Sequence, residues 1–256
     1  MIRWPAEAIW EAVVPVLAGF TVEVLPEIDS TNTELMRRAR AGQTEPVLLV
    51  AERQTAGRGR LGRPWASDVG ASLTFSLGLP LSPADWSGLS LAVGVSLAES
   101  LHEDVRIKWP NDLWLQGRKL AGILIETAGT GAAAAPRFVV VGVGINITAR
   151  GAQGLSTPPA WLQELRPDID APAALGQLAL PLVRALQQFE ADGFGAFGDR
   201  FHARDALAGR TVVLSDGLQG DARGVGADGA LLVHTASGMK QVTSSEVSVR
   251  PLGAGA

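Results

Sequence analysis

The most chemically distinctive stretch of the chain is Gly57–Trp65, which reads GRGRLGRPW. It places three arginines, three glycines and a tryptophan within nine residues, and no other stretch is so locally basic. Arginine guanidinium groups are always charged and match phosphate or carboxylate oxygens two at a time. Glycines let the backbone approach a ligand and offer it N–H groups. The pattern therefore predicts a loop that holds an anion.

The same stretch also fits the spacing G-x-G-x-x-G, which is typical of dinucleotide-binding turns. That motif needs a strand before it, a helix after it and an acidic residue about 20 positions further on. The apolar run Pro46–Ala51 supplies a strand, but Pro64, Asp68 and Gly70 prevent the helix. We therefore disfavour a nicotinamide site, and a solvated basic surface loop remains the simpler alternative.

The composition excludes several other kinds of chemistry. The chain has 256 residues, a net charge of −4 and a pI of about 5.4, so no general basic field attracts nucleic acid. It has no cysteine, which excludes disulfides, thiol nucleophiles and cysteine-bound metals. Its three histidines are scattered, which disfavours a zinc site.

The N-terminal segment does not resemble a signal peptide, because Glu7 and Glu11 interrupt its apolar positions. No apolar run reaches the ~18 residues of a membrane span. We therefore expect a cytoplasmic protein without a membrane partner.

Hydrophobic periodicity predicts the elements that position the basic loop. Alternation of Leu73, Phe75, Leu77 and Leu79 predicts a half-buried strand, 71–79, directly after it. Other strands are predicted at 21–28, 47–52, 105–108, 113–115, 119–127 and 137–147. Helices are predicted at 5–17, from Ser30 to Gly42, at 85–101, around Trp161, at 173–192 and within 193–206.

The pattern changes after residue 206. Short strands at 211–214, 222–225, 231–234, 240–243 and 247–249 are separated by the turn signals Asp216-Gly217, Asp228-Gly229 and Ser237-Gly238. We predict two domains, a larger one at 1–206 and a small β-barrel at 207–256.

Three further polar motifs accompany the loop: Asp29–Asn32, Lys108–Asp112 with Lys119–Ile123, and Gly142–Asn146. The first two have ordinary structural explanations. Ser30 to Thr33 suits a helix N-cap, Asn111-Asp112 suits a turn, and Lys119 suits a solvated hairpin end.

Taken in this order over residues 29–147, the four motifs resemble those of the biotin protein ligases, the biotin–[acetyl-CoA-carboxylase] ligases. The resemblance implies an α+β fold, in which a mixed β-sheet backed by helices forms a class II synthetase-like catalytic domain. A small SH3-like β-barrel follows it. Residues 1–206 would then be the biotin- and ATP-binding domain.

The resemblance also implies a reaction. The biotin carboxylate attacks the α-phosphate of ATP to give biotinyl-5′-AMP, and a lysine of a biotin carboxyl carrier protein then takes the biotinyl group. The implied substrates are biotin and ATP, with Mg²⁺ as the metal. Two anions must meet in the first step, so cationic groups must lie between them. The family pattern is compatible with a homodimer.

The motif match assigns roles residue by residue. Lys119, Arg58 and Arg60 are the expected catalytic residues. Biotin would contact Ser30, Thr31, Asn32, Gln54, Gly57, Arg58, Gly59, Arg60, Lys119, Gly122 and Ile123. ATP would contact Arg60, Arg63, Trp65, Lys108, Asn111, Asp112, Lys119, Asn146 and Trp161, with Asp112 facing Mg²⁺.

Two departures from the family pattern affect these expectations. Leu61 stands where a basic or polar residue is common, which lowers the charge of the loop. About 29 residues precede the Ser-Thr-Asn motif, which is too few for an N-terminal DNA-binding domain. We therefore expect a monofunctional ligase without operator binding.

Other functions make different predictions. A lipoate–protein ligase would keep ATP and the carrier lysine but change the acyl group. A non-enzymatic repressor would need a basic recognition helix, which the sequence does not show.

The glycines of the basic loop, with no helix behind them, suggest a lid that closes over biotin and the adenylate.

Overall fold

The computed structural model describes residues 2–129, 136–149, 151, 157–243 and 249–252. Its helices are α1 (Ala6–Val13), α2 (Thr31–Arg40), α3 (Leu89–Leu101), α4 (Ala171–Asp192) and α5 (Gly198–His202), with short 3₁₀ turns at Arg60–Gly62, Leu162–Glu164 and Phe194–Phe197. The larger sheet contains β1 (Thr21–Ile28), β2 (Val47–Gln54), β3 (Ser72–Leu81), β4 (Arg106–Lys108), β5 (Asp112–Leu115), β6 (Arg118–Ala128) and β7 (Arg137–Asn146). The C-terminal strands are β8 (Thr211–Leu214), β9 (Gln219–Val225), β10 (Leu231–Thr235), β11 (Gly238–Val242) and β12 (Val249–Pro251).

The larger sheet has seven strands in the order β1-β2-β3-β7-β6-β5-β4. β1 and β2 are parallel and the other neighbours are antiparallel, which confirms the predicted mixed sheet. Alternation along β2 explains how both faces are covered, since successive side chains point to opposite faces. Leu48 and Val50 pack with α1, α3 and α4, whereas Val47 and Leu49 pack against α2.

Several helix ends differ from the sequence prediction for local reasons. α3 begins at Leu89 rather than residue 85, because Gly88 takes a left-handed conformation with φ of 80°. Just before it, the Asp85 carboxylate accepts a hydrogen bond from the Ser87 N–H at 2.9 Å. α4 begins two residues early, at Ala171, because the Asp170 side chain caps it through the Ala173 N–H. α1 ends at Val13, and turns continue from it toward Gly19.

The C-terminal strands form a five-stranded antiparallel sheet in the order β11-β10-β9-β8-β12. This confirms the small β unit that the turn signals predict. The predicted strand at 247–249 is described only from residue 249. The sequence also predicts a glycine- and alanine-rich loop at 129–136 and an irregular stretch at 149–159, and parts of both lie outside the described residues.

The C-terminal unit contacts the larger one just after β4, and the segment that leads into the C-terminal unit pairs with β4 itself. In that segment, the Arg204 carbonyl accepts from the Ile107 N–H at 2.8 Å, and the Ala206 N–H donates to the Ile107 carbonyl at 2.9 Å. The fully buried Trp109 donates its indole N–H to the Gly229 carbonyl at 3.0 Å. No helix in the described part of the chain is long and apolar enough to cross a membrane.

Candidate active site

A cavity of about 430 Å³ opens between the basic loop, the start of α2 and strands β3, β5, β6 and β7. Its lining includes most of the residues that the sequence predicts for the site: Ser30, Thr31, Asn32, Gln54, Arg58, Gly59, Arg60, Arg63, Trp65, Lys108, Asn111, Asp112, Lys119, Gly122, Ile123 and Asn146. Gly57 and Trp161 are not among the lining residues. The chain thus brings four separate motifs to one cavity.

One side of the cavity, which we call the amide end, is lined by Ser30, Thr31, Asn32 and Gln54, and the buried Ser76 lies behind them. Ser30 caps α2 by accepting from the Thr33 N–H at 3.4 Å, so the capping and site interpretations of this motif are compatible. The Gln54 Oε1 atom accepts from the Thr31 N–H at 2.8 Å and lies 3.1 Å from the Thr31 hydroxyl. These groups are polar but uncharged, which suits a neutral hydrogen-bonding ligand.

Asn32 is 4% exposed, and every polar atom of its side chain contacts protein. Its amide N–H groups donate to the Leu124 carbonyl at 3.2 Å and to Glu126 Oε2 at 3.0 Å. Its Oδ1 atom lies 2.6 Å from the Ser76 hydroxyl. A Cβ atom on Gly142 would overlap this Oδ1 atom, so only glycine leaves room for the amide.

The basic loop folds back on itself as a tight hairpin. The Gly59 N–H donates to the Arg63 carbonyl at 2.7 Å, and the Trp65 N–H donates to the Gly57 carbonyl at 2.8 Å. Leu61, at the tip, is 64% exposed and has φ of 55°. The Arg58 guanidinium turns toward the amide end, where it donates to Thr33 Oγ1 at 3.1 Å and to Glu126.

The Trp65 indole packs against two glycines of neighbouring strands. Gly122 of β6 and Gly144 of β7 are paired in the sheet register. A Cβ atom on Gly144 would overlap the Trp65 indole, and one on Gly122 would lie 3.4 Å from it. The Lys119 Nζ atom lies 5.8 Å from the centre of the Trp65 ring, and the face of the ring stabilises this ammonium group.

The opposite side, which we call the cationic end, consists of Arg60, Arg63, Lys108 and Lys119 around the Asp112 carboxylate. The Lys119 Nζ atom lies 2.7 Å from Asp112 Oδ1. Lys108 is 7% exposed, and burial lowers its pKa to about 8, although Asp112 opposes the shift. Burial also lowers the pKa of the Arg60 guanidinium. With four cations near one carboxylate, the cationic end suits a ligand with several negative charges.

Two asparagines fix the backbone around Lys119 and Asp112. Asn111 donates to the Ile123 carbonyl at 2.7 Å, and its Oδ1 atom accepts from Arg60 at 3.4 Å. Asn146 donates to the Lys119 carbonyl at 3.1 Å and to the Ala160 carbonyl at 2.9 Å. It therefore joins the segment around Ala160 to the strand that carries Lys119.

Comparison with known proteins places the fold and cavity in one family. A model described as "Biotin/lipoate A/B protein ligase family" matches residues 24–146, and one described as "Biotin protein ligase C terminal domain" matches residues 209–250. The "Bifunctional ligase/repressor BirA" of Escherichia coli is 40% identical over 246 residues, covering 91% of this chain and 75% of that protein. The chain belongs to the biotin protein ligase family.

Two other relatives match over almost their whole length. The "Biotin--[acetyl-CoA-carboxylase] ligase" of Paracoccus denitrificans is 31% identical over 242 residues, covering 88% of this chain and 98% of that protein. The structure of the biotin protein ligase from Aquifex aeolicus in complex with biotin and ATP has a TM-score of 0.77 and 31% identity, and covers 90% and 98% of the two chains. The protein is thus a ligase that acts on biotin, as the motif order predicts.

Trp161 lies outside the lining of the cavity, in a cluster with Arg118 and Glu164. Its indole ring centre lies 5.7 Å from the Arg118 guanidinium, and the backbone N–H of Trp161 donates to Glu164 Oε1 at 3.0 Å. Arg118 and Glu164 form an ion pair that closes this cluster. The contact with ATP stays a prediction, because the indole is outside the cavity lining.

Sequence reasoning missed the residues that support the amide end: Ser76, Glu126 and Gly142. Ser76 and Glu126 lie within ordinary strand patterns, so nothing in their local sequence marks them. Gly142 lies in a motif that the sequence singles out, and a glycine inside a strand often marks a close approach of another group. That signal would have been sufficient to find Gly142 and the nearby Gly144, although neither was assigned to the site.

Proposed function

We propose that the protein activates biotin as biotinyl-5′-AMP and transfers it to one lysine of a biotin carboxyl carrier protein. The observation that supports this most directly is the division of one cavity into a neutral amide end and a cationic end. Biotin combines a neutral ureido ring with a carboxylate, and ATP adds a triphosphate. The amide end fits the ring, and the cationic end fits the two anions that must react.

In the first step, a biotin carboxylate oxygen forms a bond to the α-phosphorus of ATP while the bond to pyrophosphate breaks. The Lys119 ammonium and the Arg60 guanidinium would stabilise the charge that gathers where the two anions meet. The Asp112 carboxylate, at 2.7 Å, holds Lys119 in place before substrate binds. In the second step, the carrier amine attacks the acyl carbon, AMP leaves, and the amine loses a proton.

A magnesium ion is part of this proposal, and the donor set fits one that is shared with the substrate. Within the described residues, no three His, Cys, Asp or Glu side chains form a metal-binding group. Mg²⁺ is commonly held by one or two carboxylates together with substrate phosphates, and Asp112 supplies one such carboxylate at the cationic end. The bound ion would neutralise phosphate charge.

The remaining site roles belong to the same proposal. Gly57 shapes the loop rather than lining the cavity, because a Cβ atom there would lie 2.9 Å from Gln54 Nε2. Trp161 would meet the adenine only after the segment that carries it moves. We also retain the division into domains at 1–206 and 207–256 and a cytoplasmic location as proposals.

The proposed function is tested by incubating the purified protein with biotin, Mg-ATP and a carrier domain. We expect mass spectrometry to show one biotinyl group on one carrier lysine, with AMP and pyrophosphate as products. A carrier variant with that lysine replaced by arginine is the control. Transfer of lipoate in preference to biotin, or of neither acid, would contradict the proposal.

A further inference from the structure

Lys119 lies at the beginning of β6, where the regular pairing of the larger sheet ends. The register of β6 with β7 stops at Ala121 and Ile145, two residues short of Lys119. The register of β6 with β5 shifts between Leu113 and Trp114, and Trp114 is the residue opposite Lys119. Regular strand pairing therefore holds the Lys119 backbone less completely than it holds the rest of β6.

Lys119 pairs instead with the 157–164 segment. The Lys119 N–H donates to the Pro158 carbonyl at 2.9 Å, and the Ala160 N–H donates to the Lys119 carbonyl at 2.8 Å. Between these two bonds, Pro159 forms a parallel bridge with Lys119 and also lines the cavity. The position of Lys119 therefore depends on where this segment lies.

An ion pair joins the end of this segment to the residue that precedes Lys119. The Glu164 carboxylate accepts from Arg118 Nη1 at 3.0 Å through Oε1 and from Arg118 Nη2 through Oε2. A two-bond fork of this kind fixes the orientation of both side chains. The two side chains are only 28% and 21% exposed. The segment is thus attached to β6 at two consecutive residues, through the backbone of Lys119 and the side chain of Arg118.

We propose that the Arg118–Glu164 pair positions Lys119, because it holds the 157–164 segment against the start of β6 and so keeps the Lys119 ammonium where the two anions meet. This inference rests on the proposed function, which places Lys119 at the reacting centre. Neither Arg118 nor Glu164 lines the cavity, so both are positioning residues that act through the Lys119 backbone.

The first test is Glu164→Gln, which keeps the shape of the side chain but removes the charge that pairs with Arg118. Glutamine can still accept from the backbone N–H of Trp161, as Glu164 does at 3.0 Å, so the cap of the 3₁₀ turn is retained. A misplaced ammonium stabilises the reacting charge less well. We expect kcat for pyrophosphate release to fall about fivefold, and the KM for biotin to change by less than about twofold.

The second test asks whether this loss passes through Lys119. Glu164→Gln is combined with Lys119→Ala, and the rate of adenylate formation is measured in single-turnover experiments. Because the ion pair would then have no ammonium to position, we expect the double variant to equal Lys119→Ala within about twofold. A general loss of structure would instead lower the rate by the same factor in both backgrounds.

Two further variants serve as controls. Glu99→Gln removes a carboxylate that pairs with Arg200 between α3 and α5, at side-chain exposures of 35% and 38%. Glu99 does not line the cavity, so its kinetic constants should equal those of the wild type. Arg118→Lys keeps the charge but loses the fork, and we expect it to retain about half of the wild-type kcat.

A normal kcat in Glu164→Gln would overturn the inference. An equal loss with and without the Lys119 ammonium would also overturn it, because the pair would then act on some other part of the protein. Each of these results presupposes that the wild type releases pyrophosphate with biotin. Absence of that activity would instead refute the proposed function.

Discussion

The two ends of the cavity obtain their polarity in different ways. At the amide end, a buried carboxamide, two hydroxyls and Glu126 contact one another, so uncharged polar groups are held in place before a ligand arrives. At the cationic end, Lys108, Lys119, Arg60 and Arg63 surround the Asp112 carboxylate and leave a local excess of positive charge. The comparison shows that fixed uncharged polar groups suit recognition of a neutral ring, whereas unbalanced charge suits the binding of anions that must react.

The largest expected effect is at the cationic end. Lys119→Ala removes the ammonium group beside Asp112, and we expect kcat for pyrophosphate release to fall by a factor of about 10²–10³. Lys240→Ala is the matched control, because Lys240 is exposed on β11 of the C-terminal unit. Near-normal pyrophosphate release by Lys119→Ala would show that the cationic end does not act on the reacting centre.

The amide end has its own sensitive position at Gly142. In Gly142→Ala the new Cβ atom overlaps the Asn32 amide oxygen, and overpacking of this kind should raise the KM for biotin by about 30-fold. The control is Gly195→Ala, where no atom lies within 4 Å of the new Cβ. If Gly142→Ala affected ATP as strongly as biotin, the two ends would not be separate binding regions.

Lys108 makes the cationic end sensitive to pH. Burial lowers its pKa to about 8, so the side chain is an ammonium below that pH and neutral above it. We therefore expect the KM for ATP to rise as the pH increases through about 8. In Lys108→Met the KM for ATP should be about tenfold higher at pH 7 and lose this inflection.

Lys108 also makes the free energy of unfolding depend on pH. The unfolded chain binds the Lys108 proton up to about pH 10.4, whereas the folded protein releases it near pH 8. Between these values the unfolded state binds more protons, so the free energy of unfolding should increase with pH. Urea titrations at several pH values, compared with those of Lys108→Met, would contradict the assignment if both proteins responded alike.

The smallest expected effect concerns the connection between the loop and the amide end. Arg58→Gly removes a half-exposed ion pair with Glu126, and such pairs contribute little, so biotinyl-5′-AMP should dissociate only about threefold faster. Retention of the adenylate during dialysis measures this change. Arg53→Gly, which removes an exposed arginine paired with Glu27, is the control and should retain the adenylate normally.

Hydrophobic periodicity and turn signals were sufficient to predict most strands and the small C-terminal β unit. The mixed sheet and most of the cavity lining were predicted through the resemblance to the biotin protein ligases, whose motifs are recognisable in the local order of arginines, glycines and asparagines. Glu126 and Ser76 could not be found in this way, since their importance arises only when β3, β6 and α2 pack together. For Trp161 the residue type suggests a stacking partner, whereas its position depends on Glu164 in the adjoining 3₁₀ turn and on Arg118 of β6.

The hydrogen bond from Trp109 to Gly229 crosses the boundary between the two units at residue 206 and links their folding. Gly229 fits so closely that a Cβ atom on it would lie 2.8 Å from the Gly88 Cα atom, so the two units share a packed surface. A fragment that ended before β8 would leave the Trp109 N–H without its partner, at a cost of about 1–3 kcal/mol. The larger unit and the C-terminal unit therefore depend on each other for stability, and we expect both to unfold in a single transition.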